Sequence, residues 1–540
     1  MELDQNIRQK KYKEIWQKYC GFTELSLSEY MEIQKRLLME QIEIYSNCEL
    51  GKHIMRGINP KNIDEFRRSI PLTTYHDYAD ILLHKIDTAL PAKPVIWIET
   101  TWEGGTNPVK LAPYTEDMFN NHRSTFISSL IFATSDKKGR FSLRPRDKFL
   151  FGMAPLPYFT GIIPYALDRT LSITFLPSTH EAEKMSFSER NKEGFRLGLW
   201  KGIDLFFGMG SIIMRMSEQF SSHDGNSKKG SMIDPLAMSP KMLFRLFKAK
   251  NRSRADGTPI MPKDIWKLKG LLCGGTDTAV FKRRIEEYWG IRPLEIFGGT
   301  EPTCIATEVW SKNGMVLFPE VCFYEFIPIA EMEKNLADPS YVPRTFLMDE
   351  VVAGDSYELV ISNFKGGAFM RYRVGDIMKC ISTENKADGI HYPQFIYVDR
   401  IPLVIDIAGF TRITESTITN AIVLSKLDIE NWFAVKRYDE MDRPYMNLYV
   451  EVTPGAAIHG TVVKRIIEEQ LGIYFNYLDS DYHDLKRLLG IEPLVVTILP
   501  IGTFDAYRRK TGKVLRKMNP SPYDIIEMVN LSRQESEAEI

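Results

Sequence analysis

A chain of 540 residues is too long for a single compact core and predicts two or more domains. Its 44% hydrophobic and 26% charged content is that of a soluble globular protein, and a net charge of −1 gives no global attraction to nucleic acid or anionic membranes. No apolar run approaches the roughly 18 residues needed to cross a bilayer, the first residues (MELDQNIRQKKYKEIW) lack a signal-type apolar stretch, and six scattered cysteines form no Cys-x-x-Cys pair, which excludes the usual zinc spacing and fits a reducing, cytoplasmic setting.

In chain order, apolar residues at three- and four-residue spacing predict helices over 7–54. Strand-like runs follow at 95–98, 148–151, 171–175 and 204–207, with helical patterns between several of them. This alternation predicts α/β layers around a mainly parallel sheet. The polar stretches 134–140 and 221–231 read as loops, and 357–380 as short strands with tight turns. After Arg400 a smaller α+β unit begins, with PYMNLYVEV, a helix over about 460–471 and PLVVTILP. The last nine residues, SRQESEAEI, read as a frayed tail.

Five stretches carry residue types suited to chemistry. The first, IETTWEGGTNPVKLAPYT (98–115), is a glycine-rich turn after a strand, with hydroxyls before it and a lysine after it. Thr100, Thr101, Gly104, Gly105, Thr106 and Lys110 suit a phosphate, whereas Trp102 and Glu103 do not. The second is LLCGGTDTAVFKRRIEEYWGIRPLEIFGGTEP (271–302). It places Gly274, Gly275 and Thr276 after one strand and Gly298, Gly299, Thr300 and Glu301 after the next, where open α/β sheets bind ligands. Phe297 offers a ring to a base and Glu301 an oxygen to Mg²⁺. Two ordinary strand-end turns would look the same. The third, AFMRYRVGDIMKC (368–380), puts Asp376 after a Gly375 turn, either as an acceptor for ribose hydroxyls or as a turn cap. The fourth, MAPLPYFTGIIPYAL (153–167), is apolar, aromatic and proline-broken. It is a poor helix and suits either a pocket wall, with Tyr158, Phe159 and Met209 as acyl-pocket candidates, or a core loop. The fifth, PIGTFDAYRRKTGKVLRKMNP (500–520), is basic. It reads as a solvated charge run, or as a loop delivering the Lys513 ammonium, and it lacks the interleaved aromatics of a nucleic-acid site.

In this order and at these separations the stretches resemble the adenylate-forming ligase superfamily. Within it the chain looks most like the auxin-responsive Gretchen-Hagen-type acyl acid amido synthetases, and more distantly the phenylacetate-CoA ligases. IPLTTYHDYADIL (70–82), IFGGTEP, YRVGDI, the 398–422 crossing and GIEPLVVTILPIGTF (490–504) carry the likeness. The resemblance implies an α/β fold with a large multi-layer ATP- and acyl-binding domain (1–400) and a smaller mobile α+β domain (401–540) carrying the Gly-Lys loop. It implies that ATP and Mg²⁺ activate a carboxylic acid as acyl-AMP, which then passes to an amine, with an amino acid as the expected acceptor. CoA as acceptor and a non-catalytic adenylate-binding protein are the alternatives. It implies Lys513 as the catalytic cation and Glu301 as metal ligand. Phe297 would lie on adenine, Asp376 on ribose, and Arg400 on ribose or phosphate. Gly274, Gly275 and Thr276 would line the base pocket, and 100–110 would hold phosphates.

Overall fold

The computed structural model describes residues 1–100, 109–168, 170–222, 238–409, 411–426, 428–453, 461–478, 490 and 493–538. The chain divides into a first unit of Met1–Thr100 and Lys110–Asp399 and a second that includes Arg400–Ile540.

The N-terminal periodicity is realised as helices Glu2–Arg8, Tyr12–Cys20, Leu27–Ser46 and Glu49–Ile54. Ser26 and Glu29 close a reciprocal capping box at the start of the third. Strands β1 (Ile96–Glu99) and β2 (Leu111–Tyr114) pair antiparallel on either side of the glycine-rich turn. The polar stretch expected as a loop at 134–140 instead holds a small hairpin, β3 (Ser135–Lys137) with β4 (Arg140–Phe141). Gly139, at φ +75°, makes its turn.

An eleven-stranded sheet organises the first unit. Its strands are β5 (Lys148–Gly152), β6 (Thr174–Leu176), β7 (Leu205–Met209), β8 (Gly270–Gly274), β9 (Leu294–Gly299), β10 (Thr303–Glu308), β11 (Met315–Leu317), β12 (Cys322–Pro328), β13 (Ser356–Asn363), β14 (Tyr372–Ser382) and β15 (Gln394–Arg400). Their spatial order is 12-13-14-15-11-10-9-8-7-5-6. Strands β5 to β9 are parallel, joined by helical crossovers. Beyond β9 the pairs β9–β10, β10–β11, β11–β15, β12–β13 and β13–β14 are antiparallel. The expectation of a mainly parallel sheet is therefore corrected to a mixed one. The physical reason is loop length: only 300–302 separate β9 from β10, and so short a link can only reverse the chain.

Both faces of the parallel half are covered, which is why these strands read as continuous apolar runs rather than alternating ones. Phe207 and Leu272 face a core shared with helix Glu116–Ala133. Phe206, Leu271 and Cys273 face a second core around Trp266 and Trp289, whose rings stack at 5.5 Å.

In the second unit β16 (Val404–Ile407) and β17 (Thr411–Thr414) form a hairpin. Strands β18 (Ile429–Tyr438) and β19 (Pro444–Val452) pair antiparallel, and β20 (Leu494–Leu499) adds parallel to β19. Phe433 and Tyr449 stack at 4.4 Å in its core. Helix Pro522–Ala538 runs through most of the expected tail. That is a second correction: its Arg, Gln, Glu and Ala favour helix, and Ile525, Met528 and Leu531 anchor it.

Candidate functional site

Four stretches far apart in sequence meet around one carboxylate. Thr100 and Lys110 close the base of the glycine-rich turn: Thr100 N donates to the Lys110 carbonyl at 3.0 Å, and Lys110 N donates to Thr100 Oγ1 at 3.0 Å. The Lys110 ammonium lies 4.0 Å from Glu301 Oε1 and 5.8 Å from the Tyr75 ring centre. The Tyr372 hydroxyl donates to Glu301 Oε1 at 2.7 Å. Thr73 bridges Tyr372 strand-fashion, and its hydroxyl donates to the Met370 carbonyl at 2.8 Å, so 70–82 braces the start of β14. Tyr75 and Tyr114 are neutral phenols here. Burial, with the Glu301 charge adding to it, pushes Tyr75 up to about 12 and Tyr114 well above its usual range.

Glu301 is carried by the turn between β9 and β10. A Cβ on Gly298 would stand 2.2 Å from the Thr303 carbonyl oxygen, so only glycine lets the two strands approach this closely. The turn is tied to β1 through Thr300 Oγ1, which donates to the Glu99 carbonyl at 3.4 Å. Tyr114 donates to the Thr300 carbonyl at 2.7 Å. Glu99 in turn donates its N–H to Pro157 at 2.9 Å and bridges Tyr158. The acyl-pocket candidate Tyr158 is thereby linked, through β1, to the carboxylate-bearing turn.

The strand ends collect a second group. Met209 closes β7 in register with Gly274. Gly275 has φ +108° and would meet Met209 Cε at 3.9 Å if it carried a Cβ. Thr276 follows it, half-buried, before helix Thr278–Trp289. Phe297, half-buried on β9, lies 5.6 Å from Tyr397 at 33°.

Other predicted residues stand elsewhere or outside the description. Thr101, Trp102, Glu103, Gly104, Gly105 and Thr106 lie outside the described residues. Asp376 is buried inside β14 rather than in a turn. Gly375, at φ +80°, belongs to a bulge where Arg373 and Ile377 face Val360 and Glu358. This corrects the turn reading, since a bulge kinks a strand without ending it. Arg400 is the last residue of β15. Arg371 and Arg373, read as alternating on one strand, are buried or half-buried ion-pair partners: Arg371 forks onto Glu325 (2.9 and 2.8 Å), and Arg373 onto Glu358 (2.7 and 2.7 Å). Arg371 precedes the strand, at φ +46°. Lys513 is exposed and follows helix Thr503–Thr511, which Gly512 ends in the left-handed region. Desolvation of Asp524 is outweighed by hydrogen bonds from Ser521 and Tyr507 and by the Lys513 charge, which together hold that carboxyl below its usual range.

Two buried side chains beside 153–161 escaped the sequence reading. His122, 1% exposed on helix Glu116–Ala133, has no hydrogen-bond partner at either ring nitrogen among the described residues and stands 4.9 Å from the Phe159 ring. Burial pulls it down to about 4, so the imidazole is neutral. Arg190, 3% exposed, donates to the Met153 carbonyl and has no carboxylate partner among the described residues. Burial lowers it to about 10. Neither residue has a sequence signature, because partner loss is visible only in three dimensions. Segment 153–167 is also not uniformly a poor helix. Ile162–Asp168 is helical, and Pro164 falls within its first turn, where no backbone donor is lost.

Residues 21–144 match the GH3 family N-terminal domain and residues 315–400 the GH3 family central domain. The indole-3-acetic acid-amido synthetase GH3.17 of Arabidopsis thaliana is 30% identical over 546 residues, covering 88% of this chain and 87% of that protein. The chain belongs to the GH3 family. This GH3 protein is also similar to the putative indole-3-acetic acid-amido synthetase GH3.9 of Arabidopsis thaliana (32% identical) and to the jasmonoyl--L-amino acid synthetase GH3.5 of Oryza sativa subsp. japonica (27%). Those two alignments cover 37% and 40% of the chain and span 34% and 38% of the relatives' lengths. Its fold is similar to that of a 2-hydroxyisobutyryl-CoA ligase solved with 2-HIB-AMP and CoA (TM-score 0.57, 14% identity, 88% of this chain and 87% of that one).

Proposed function

We propose that this GH3 protein is an ATP-dependent ligase that joins a carboxylic acid to the amine of an amino acid in two steps. In the first, a carboxylate oxygen attacks the α-phosphorus of ATP. The bond to the bridging oxygen breaks, and pyrophosphate leaves, giving acyl-AMP. In the second, the amine nitrogen attacks the acyl carbon, the bond to the AMP oxygen breaks, and the amine gives up a proton. Family membership supports the reaction class. The observation that carries it to these residues is the grouping of Lys110, Glu301 and Tyr372 in the first unit.

Both reactants of the first step are anions, so the site must meet charge as it develops. Lys110, 16% exposed at its side chain, supplies a cation at the base of the turn. Lys513, just past a glycine-ended helix, supplies the second cation, and its exposure suits a lysine that enters for one half-reaction and withdraws for the other. Thr100 and the turn residues Thr101, Gly104, Gly105 and Thr106 hold phosphate oxygens in this reading. Phe297 takes the adenine face, with Gly274, Gly275 and Thr276 beside it, and Asp376 and Arg400 take the ribose side. Gly298, Gly299 and Thr300 present Glu301.

The donor set fits Mg²⁺. Tyr372 occupies Glu301 Oε1, and among the described residues no hydrogen bond reaches Oε2, a hard oxygen of the type Mg²⁺ takes from one carboxylate alongside substrate phosphates. When bound there, the metal would neutralise phosphate charge. Tyr158, Phe159 and Met209 form the apolar wall for the acid. The six cysteines are all free thiols, in keeping with a cytoplasmic site of action. No helix among the described residues is long and apolar enough to cross a membrane.

The test is Lys110→Met and Glu301→Gln assayed separately in acid-dependent pyrophosphate exchange and in acyl transfer from supplied acyl-AMP. Loss confined to exchange supports these roles. Equal loss in both, or in neither, removes them.

A further inference from the structure

Helix Pro240–Asp256 presents two unlike faces. Met242, Leu246 and Ala249 point into the second core of the first unit. On the opposite pole Phe244 is 68% exposed and Phe247 64% exposed. At 100° per residue, Phe244 lies about 160° from Met242, so the aromatic pair marks the point farthest from the core. Lys241 and Lys248 flank this pole on one side, and Lys250 and Arg254 on the other. The helix's other arginines are engaged inward: Arg245 donates to the Ile265 carbonyl at 3.2 Å, and Arg252 pairs with Asp264 at 2.9 Å. Asp256 is the one acidic residue of the helix. Side chains two-thirds exposed protrude; they do not line a groove. An otherwise charge-balanced chain therefore carries a local basic face with aromatics at its crest.

We propose that this face docks the enzyme on an anionic lipid surface. Interfacial helices of this kind bury aromatic rings at the headgroup boundary while lysine and arginine stems reach outward to the phosphates. The charge complementarity selects the occupant. A second copy of the chain would oppose four cations with four cations, and an acidic peptide helix would need a groove that protruding side chains do not make. Docking is peripheral and reversible, since a single short face with two rings and four charges falls well below the insertion strength of a spanning helix.

The full-length protein is sedimented with phosphatidylcholine vesicles with and without phosphatidylserine, at low and high salt. Two double variants are compared, Phe244→Ser with Phe247→Ser and Lys241→Glu with Lys248→Glu, and acid-dependent pyrophosphate exchange serves as the check on folding. Wild-type protein should partition to the phosphatidylserine vesicles and be released by salt. Each double variant should partition at least about tenfold more weakly with exchange unchanged. Equal partition to both vesicle types, or retention by the charge-reversal variant, overturns the proposal. So does a dimer that the Phe244/Phe247 change dissolves, or saturable binding of polyglutamate without vesicle binding.

Discussion

Replacing Glu301 with Gln separates the metal-holding role from a purely structural one. Gln keeps the side-chain length and still offers Oε1 to the Tyr372 hydroxyl, now 2.7 Å away. What disappears is the charge. At 4.0 Å and an effective dielectric of about 20, the Lys110–Glu301 attraction is about 4 kcal/mol before desolvation is subtracted. Both side chains are less than one-fifth exposed (16% and 11%), so solvent screening removes only part of it. The change leaves the largely buried Lys110 ammonium without this counter-charge, and the expected stability loss is about 3 kcal/mol. The catalytic loss should be comparable. With a carboxylate missing from the metal site, acid-dependent pyrophosphate exchange should fall about 10²-fold or more, close to 3 kcal/mol of barrier, and raising Mg²⁺ should recover part of it. The assay is exchange at several Mg²⁺ concentrations alongside a thermal melt. Wild-type exchange at every Mg²⁺ concentration, with an unchanged melt, would refute the reasoning.

Lys513→Ala should leave the melt unchanged, because the residue is exposed, and should cut exchange about 10²-fold or more; a wild-type rate removes the assignment. Asp376→Ala should raise the ATP KM more than the acid KM, whereas a lower Tm with unchanged ATP KM would mark the residue as a support of the β14 bulge. Gly298→Ala should destabilise the protein markedly, and Gly299→Ala much less. The first Cβ would stand 2.2 Å from a backbone oxygen, while the second meets only Pro302 at 3.4 Å; similar melts for the two would contradict the hairpin geometry. Glu295 is raised to about 7 from 4.5 by burial, with the Glu308 charge adding to it. The folded state therefore holds its proton more tightly than the unfolded state, and the stability present below about pH 4.5 is lost as pH rises through about 7. At about 1.4 kcal/mol per unit, Glu295→Gln should match wild type at low pH and exceed it by about 3 kcal/mol at pH 8. Parallel stability profiles would rule out a buried protonated Glu295.

Sequence pattern revealed those parts of the fold whose physics is local. Two-sided burial makes LFFGM and GLLCG read as strands, and apolar residues at three- and four-residue spacing mark the N-terminal helices. The antiparallel half of the sheet was harder to see, since β10 and β11 are buried runs like the parallel strands and only loop length separates the two cases. The Gly375 bulge looked like a turn because glycine at positive φ serves both. In the site, residue type pointed to Glu301, Thr300 and Lys110, but not to what they touch. That Tyr372 serves Glu301, that Arg371 and Arg373 are committed to Glu325 and Glu358, and that among the described residues His122 has no hydrogen-bond partner and Arg190 no carboxylate partner are tertiary facts, set by segments tens of residues apart.

The central claim is that this chain makes an acyl-adenylate and passes it to an amine. Its most direct measurement is label exchange between pyrophosphate and ATP across a panel of aromatic and aliphatic carboxylic acids, followed by product analysis with amino acids or CoA supplied as acceptor. The account predicts exchange that requires both an apolar acid and Mg²⁺, with an acid–amino acid amide as product and no thioester. Acid-independent exchange, no exchange with any acid, or a CoA thioester as the sole product would contradict it.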